Sequence, residues 1–430
     1  MQLKALMLQF AAQYQLFKED AKILVAVSGG VDSMVMLRLL HDAGVNMVVA
    51  HCNFKLRGKE SDDDETFVKI EAQKLGIECR VKNFDTAEFA KKNGISIQMA
   101  ARKMRYEWFN ELSENEGYEA IAIAHNKDDS IETLFINIAR GTGIQGLTSI
   151  KPANGKIIRP LLFAWRADIE DYAEKQKINF REDSSNATDK YARNYIRHNV
   201  IPGLEQFFPG VRQTIERNIE NFSSVEKFYT QAIEQYKKEV VVTADELIYI
   251  DLPKLSQSPH PPTLLYEILK RYGFSNSTVA DILEKNCSGR QFFSATHRVV
   301  HDRQSLILQK VVDCQLHSET SSFDVVDYEI FDNYSGFVPD TDPNIACLDF
   351  DKLQFPLLMR TWEHGDKFRP LGMKGMKKLS DFFVDLKLSI PQKENCKILV
   401  SGGKIAWIVG LRIDDRFKIT NKTTKIFRLK

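Results

Sequence analysis

The sequence predicts an α/β protein: a first half built on a doubly wound parallel sheet, then a small, mostly helical domain and a small α+β C-terminal domain. Three observations carry this. Apolar runs of strand length alternate with segments of helical period from residue 22 to residue 176. The polar clusters in that stretch fall directly after strands, at the carboxyl edge where open α/β sheets bind ligands. From about Asn218 the alternation stops, giving helical stretches and then short strands and turns. The expected boundaries are 1–217, 218–320 and 345–430.

Lys22 to Val27 reads as the first strand and Met34 to Leu40 as a helix that stops near Gly44, after an amphipathic start from Met1 to Phe17. Between strand and helix lies Ser28-Gly29-Gly30-Val31-Asp32-Ser33. Adjacent glycines let backbone N–H groups approach an oxyanion, and the helix start adds unpaired N–H groups and a positive dipole end. Ser28 and Ser33 add hydroxyls. The loop is therefore read as a phosphate site rather than a plain glycine turn. A carboxylate beside a polyphosphate is repulsive unless a divalent cation lies between them, so Asp32 is read as a Mg²⁺ ligand. The loop lacks the Gly-Lys-Ser/Thr ending of a Walker A sequence and the third glycine of a dinucleotide fingerprint.

A second strand, Val45 to Ala50, runs into His51-Cys52-Asn53-Phe54. Its position at the sheet edge directs His51 and Asn53 toward the nucleotide; for His51 the alternative is a strand-end cap. The acidic run Glu60 to Glu65 suits a solvated helix start, with the helix ending at Gly76 and Ile77 to Val81 returning as a strand. Ser96 to Glu111 reads as a helix with Ile97, Ala101, Met104 and Trp108 on one stripe and Arg102 and Arg105 on another face.

After the short strand Ala120 to Ala124 comes His125-Asn126-Lys127-Asp128-Asp129-Ser130-Ile131-Glu132-Thr133. Asp129 falls at a helix start with Glu132 one turn later, a pair suited to an ammonium group or a metal; an N-terminal cap made by Asp129 with Glu132 is the alternative. A second glycine-rich loop, Arg140 to Gly146, precedes a strand, Lys156 to Leu162, and a helix, Arg166 to Gln176. Beyond Arg181-Glu182-Asp183-Ser184-Ser185-Asn186, Arg193 and Arg197 interleave with Tyr191 and Tyr195, a pattern for phosphates and stacked bases if helical, or for bracing a helix surface.

The middle region shows a strand pair around Val240 to Ile250, a helix at Pro262 to Tyr272, and strands ending in Ser305 to Leu308, without a catalytic constellation. Residues from Ser318 to Asp342 read as a loop-rich connection. The last part reads as short strands, Leu357 to Thr361, Lys397 to Val400, Ile405 to Val409 and Phe417 to Ile419. Within it Arg360, Lys367, Arg369, Lys374, Lys377 and Lys378 face two acids, Glu363 and Asp366, a local balance of 6 − 2 = +4. This is a candidate phosphate-binding surface or a solubilising one.

The 430 residues carry a net charge of +1, so nucleic-acid binding has to rest on such local patches. The six cysteines are scattered without a Cys-x-x-Cys pair, which argues against a disulfide framework and against an iron–sulfur or zinc site. No apolar run is long enough to span a bilayer and no cleavable signal pattern is present, so a cytoplasmic location without membrane contact is expected.

SGGVDS resembles the pyrophosphate loop of the ATP-pyrophosphatase, or PP-loop, superfamily, whose members adenylate a carbonyl-type oxygen. Together with His51 to Arg57, Ala101-Arg102, Arg105-Tyr106, HNKDDSIET, ARGTGIQGL, EDSSN and RNYIR, it resembles the tRNA(Ile)-lysidine synthetases. The C-terminal RTWEHGDKFRPLGMKGMKKLSDFF resembles their tRNA-binding domain. The resemblance implies ATP and Mg²⁺ as cofactors, with tRNA(Ile) bearing a CAU anticodon and free L-lysine as substrates. ATP adenylates the C2 oxygen of the wobble cytidine, and the lysine ε-amine then displaces AMP.

It further implies Ser28, Gly29, Gly30, Val31, Asp32, Ser33, His51 and Asn53 at ATP, Arg105 beside the adenylated base or α-phosphate, and Asp129 and Glu132 on the lysine ammonium, Asp129 as base. Arg193, Arg197 and the C-terminal cations would contact tRNA. Methionine tRNA shares the anticodon, so discrimination would fall to that C-terminal patch. One departure stands out: Phe54 occupies the place of a second histidine in the family. The oligomeric state is left open, a homodimer included. The competing readings are a tRNA-thiolating enzyme, for which Cys52 is the one suitably placed thiol, an amidotransferase-type synthetase, and a non-catalytic RNA-binding module.

Overall fold

The computed structural model describes residues 2–182, 189, 191–244, 246–285, 287–311, 328–332 and 337–430. The Asp183 to Asn186 part of the EDSSN motif, Cys314 and most of the expected Ser318 to Asp342 connection lie outside the described residues. The chain divides into two units, Met1–Thr230 and Gln231–Lys430.

In the first unit, α1 (Gln2–Gln13) precedes β1 (Ile23–Ala26), α2 (Val31–Asp42), β2 (Met47–Asn53), α3 (Lys59–Lys74) and β3 (Cys79–Asn83). There follow α4 (Thr86–Asn93), α5 (Ile97–Asn115), β4 (Ala120–Ala122), α6 (Lys127–Arg140), α7 (Ile144–Leu147), β5 (Ala153–Asn154), β6 (Ile157–Ile158) and α8 (Arg166–Lys175). The sheet order is β3-β2-β1-β4-β6-β5, parallel throughout except for β5, which turns back antiparallel on β6.

Period-two alternation along β1 explains the double winding. Ile23 and Val25 point into one core with Met7, Val35, Val68 and Ile169, from α1, α2, α3 and α8. Leu24 points the other way, into a core with Trp108 and Phe109 of α5, Tyr118 and Ile121. On α5 the buried apolar residues are Ala100, Trp108 and Phe109, while Ile97 is exposed, so the apolar stripe is rotated from the expected one. The chain order reverses direction across the sheet between β1 and β4, which makes the crevice above their carboxyl ends the ligand position for this topology.

Helix α6 packs Ile131 and Leu134 against Ile196, Ile201 and Ile215 from the next helical stretch. That stretch comprises α9 (Ala192–Tyr195), a π-helical turn over Ile196–Val200, α10 (Ile201–Phe207) and α11 (Val211–Val240). The wide turn packs Ile196 on this core while Arg197 reaches Glu132 of α6.

In the second unit the expected strands of the middle region join with others into one antiparallel sheet. Its order is β7 (Val241–Ala244), β8 (Leu247–Asp251), β11 (Ser305–Lys310), β10 (His297–His301) and β9 (Gln291–Phe293). It shares a core with α13 (Pro261–Leu269) and α14 (Asn276–Glu284), which follow α12 (Leu252–Gln257). Further on, β12 (Tyr328–Asp332) and β13 (Ala346–Asp349) flank β20 (Lys425–Leu429). A four-stranded sheet joins β14 (Leu358–Thr361), β17 (Lys397–Ser401), β18 (Lys404–Ile408) and β19 (Arg412–Ile413), and β15 (Lys367–Phe368) pairs with β16 (Lys377–Lys378). The strand expected at Phe417 to Ile419 is instead a 3₁₀ turn, Asp415–Phe417, capped by the Asp414 carboxylate accepting from the Arg416 N–H at 2.9 Å. That cap turns Phe417 into the core.

Candidate active site

The loop after β1 closes on itself through Ser33. Its buried hydroxyl accepts from the N–H groups of Ser28 and Gly29, both at 3.2 Å, and donates to the Gly30 carbonyl at 2.8 Å. The Ser28 hydroxyl in turn accepts the Gly30 N–H at 3.4 Å. Gly29 takes φ +98°, a region open to glycine but not to side chains, and a Cβ there would touch Phe67 and Val68. Gly30 is the N-cap of α2, so Val31 and Asp32 form its first turn.

Asp32 lies at the base of the crevice. One carboxylate oxygen accepts from the Asn126 amide at 3.2 Å and the other is ion-paired to Arg166. Burial raises its pKa to about 6, with Arg166 opposing the shift and Asp129 adding to it. Arg166 also holds Glu170 at 2.7 Å, and its backbone N–H donates to Asp128 at 2.8 Å. The sequence reading missed Arg166. Its only signal is a cation directly after a strand-end segment, at the first position of a helix.

The cap of α6 is one turn earlier than expected. Asn126, not Asp129, is the N-cap, and Asp129 is its reciprocal partner: the Asn126 carbonyl oxygen accepts the Asp129 N–H and Asp129 Oδ2 accepts the Asn126 N–H, both at 3.0 Å. The other oxygen, Oδ1, faces Arg193 at 3.8 Å and Arg197 at 3.7 Å. Glu132 is fully buried, 0% exposed, and Arg197 covers both of its oxygens at 2.6 and 3.2 Å, with Arg193 at 3.6 Å. Burial raises the Glu132 pKa against the bond from Arg197. Arg193 and Arg197 thus reach the α6 carboxylates, the bracing role that the sequence allows beside a contact with tRNA phosphates.

His51 and Asn53 are both buried and internally bonded. His51 Nδ1 donates to the Val27 carbonyl at 2.8 Å, pinning the end of β1 to β2, and burial lowers its pKa. The Asn53 amide donates to Asp62 at 2.9 Å and Glu65 at 3.0 Å, and its oxygen accepts the Lys55 N–H at 3.0 Å. Both side chains therefore brace the strand end, which for His51 is the strand-end role the sequence allows beside a nucleotide contact. Phe54 stacks on Phe84 with ring centroids 5.4 Å apart, and the Arg105 guanidinium lies 5.1 Å over its face. In place of a histidine, this chain has an aromatic platform under Arg105. Burial pushes the Cys52 thiol up to about 12, against the opposing charges of Arg105 and Lys82, which disfavours the nucleophilic thiolate at neutral pH.

Among the described residues no three His, Cys, Asp or Glu side chains gather as a metal cage. The Asp32 position suits the other kind of site, in which Mg²⁺ takes one or two carboxylates and completes its shell with phosphate oxygens and water. A buried carboxylate whose charge is disfavoured gains from a cation, so the donor fits the ion.

In the second unit, Arg360 makes a bidentate pair with Asp366, both contacts at 2.8 Å, and Lys377 pairs with Asp385. Lys367, Lys374 and Lys378 are exposed, with no acidic partner among the described residues. Arg369 is half-buried, its backbone N–H held by Asp414 at 2.8 Å. The six-cation patch thus splits into structural and free members.

Residues 2–204 match the model of the PP-loop domain, 243–311 that of the TilS substrate binding domain and 357–429 that of the TilS substrate C-terminal domain. Among curated relatives, the chain is 42% identical over 432 residues to the tRNA(Ile)-lysidine synthase of Parabacteroides distasonis, covering 97% of each. It is 39% identical over 425 residues to that of Bacteroides thetaiotaomicron, again covering 97% of each. It is 31% identical to that of Clostridium tetani, over 97% of this chain and 96% of the relative.

Proposed function

The chain belongs to the tRNA(Ile)-lysidine synthase family, and from that premise we propose how its crevice carries out ATP-dependent formation of lysidine on tRNA(Ile). The observation that carries the assignment of roles is the mixed-sign set at the β1/β4 edge, in which Asp32, Asp129 and Glu132 interleave with Arg166, Arg193 and Arg197. A polyphosphate needs the cations. A lysine zwitterion with a second ammonium needs both signs.

Gly30 and Val31, at the start of α2, hold the pyrophosphate end of ATP at the helix dipole, while Ser28 and Ser33 keep the loop in shape from within. Asp32 would hold Mg²⁺, with Asn126 and Arg166 orienting its carboxylate, and the ion when bound offsets charge on the leaving pyrophosphate. Arg105, steadied on Phe54, stabilises negative charge at the α-phosphate as the C2 oxygen of the wobble cytidine attacks. For the second step the lysine ammonium must lose a proton. Glu132 has both oxygens covered by Arg197, whereas Asp129 Oδ1 has only the long contacts to arginine, so Asp129 is the base and Glu132 fixes the arginines around the amino acid.

The exposed Lys367, Lys374 and Lys378 then take tRNA phosphates, together with Arg369. Cys52, as a protonated thiol, disfavours a thiolation reading. Among the described residues no helix is long and apolar enough to cross a membrane.

The test is incorporation of labelled lysine into a tRNA(Ile) transcript with a CAU anticodon, in the presence of ATP and Mg²⁺. One AMP per lysine incorporated is expected. Release of AMP without lysine incorporation, or transfer of sulfur to the tRNA, overturns the reading.

A further inference from the structure

Arg159 is a buried arginine that no step above uses. It follows β6, is 8% exposed, and donates through one terminal nitrogen to the Lys151 carbonyl at 2.6 Å. Its Nε–H points at His125 Nδ1, 3.1 Å away. A guanidinium has donors and no acceptor, so the ring nitrogen facing it must present a lone pair. The histidine is then neutral with its proton on Nε2.

Burial favours the same neutral state most strongly; Asp129 of α6 opposes it, Arg159, Arg193 of α9 and Arg102 of α5 add to it, and together they push the His125 pKa down to about 4. His125 follows β4 at the crevice, four residues before Asp129.

We propose that Arg159 is a positioning residue for the ligation: it fixes His125 as the neutral Nε2–H tautomer, so that the ring serves the crevice as a hydrogen-bond donor toward anionic phosphate and not as a proton acceptor for lysine. The proposal rests on the functional reading above for the anion it names, while the tautomer it assigns stands on geometry alone. It also accounts for a fixed choice of base, since a histidine held by an arginine on one side and carrying a proton on the other has no free lone pair to offer the incoming ammonium.

The test uses the full-length protein with ¹⁵N-labelled histidine rings, His125 being assigned by its absence in His125→Asn. In the unsubstituted protein the His125 ring is expected to show an unprotonated Nδ1 and a protonated Nε2 from pH 6 to pH 8. A protonated Nδ1, or an imidazolium at pH 7, overturns the proposal without reference to any variant. Arg159→Met, which removes the donor and the charge, should release the tautomer and bring a histidine ionisation into the pH–rate profile for lysidine formation. It should lower kcat by about tenfold or more, below the loss of a whole oxyanion donor, with the KM for lysine unchanged. Arg159→Lys keeps a charged donor and should restore the Nε2–H tautomer and most of kcat. An Arg159→Met protein with the tautomer and pH profile of the unsubstituted enzyme refutes the assignment, and so does an Arg159→Lys protein that folds but has lost the tautomer. Should the enzyme make no lysidine at all, the functional reading fails while the ring spectrum still decides the tautomer.

Discussion

Asp32→Asn separates the two consequences of a buried carboxylate, its use in the reaction and its cost to the fold. The folded pKa of Asp32 is about 6 against an ordinary value of 3.8. A carboxyl whose pKa is raised by folding binds its proton more tightly in the native state, so native stability falls as pH rises between the two values. Well below pH 4 the group is protonated in both states and costs nothing; well above pH 6 it is ionised in both and the full cost applies. That cost is about 3 kcal/mol.

The amide does not recover all of it. Asn126 and Arg166 both donate to Asp32, and an asparagine offers them a single carbonyl oxygen, so one bond worth about 1 kcal/mol is lost. Arg166 retains Glu170 at 2.7 Å and is not stranded. The net gain is about 2 kcal/mol at neutral pH, or a rise in Tm of roughly 4 to 8 °C for a unit of this size. Thermal unfolding of both proteins without nucleotide, from pH 4 to pH 8, should show the variant's advantage growing with pH and shrinking, then reversing slightly, toward pH 4. The same variant should form neither AMP nor lysidine. A variant less stable than the parent at pH 7.5, a gap that does not change with pH, or near-parental AMP formation would each refute the reasoning.

Glu132→Gln keeps a partner for Arg197 while removing the charge that balances Arg193 and Arg197, and it should chiefly raise the lysine concentration for half-maximal ligation; an unchanged lysine dependence moves the amine site elsewhere. Phe54→Ala removes the ring under Arg105, a contact worth about 0.5 to 2 kcal/mol, and should lower kcat/KM for ATP by roughly 2- to 30-fold in steady-state AMP formation. The double substitution Lys374→Ala with Lys378→Ala should reduce the salt slope of tRNA affinity by about 1.4 to 1.8 units, across the single-strand and duplex limits for two phosphate contacts, and should weaken the preference for isoleucine over methionine tRNA. By contrast, Arg360→Ala should leave that slope unchanged and lower the melting temperature, because its guanidinium is already bound to Asp366.

How far the sequence could be read depended on whether a residue's partner was near in the chain. The sheet of the first unit was legible because alternation along β1 and the glycines after it are local signals, and strand after strand landed within a few residues of its expected place. The short β5 and the helix α4 were not expected: two paired residues carry no period, and α4 is only two turns long, announced by the Asp85 cap and the left-handed Gly94 at its end. Within the site, Asp32, Asp129 and Glu132 were legible as carboxylates at helix starts beside strands.

Their partners were not, because Arg166 lies 134 residues from Asp32 and Arg197 lies 65 from Glu132, and although the Arg–Tyr pattern around Arg197 marks it as a candidate binding residue, nothing local pairs either arginine with its carboxylate. The fold alone makes the ion pairs. The same distance hid Arg159, whose contact with His125 spans 34 residues and two separate strand ends. A chemical class of residue at a sheet edge can be read from sequence, but which of its lone pairs and protons remain free is decided by partners the fold brings from elsewhere. In this crevice that difference makes Asp129, with one oxygen held only by long arginine contacts, the base, and Glu132, with both oxygens covered, the anchor.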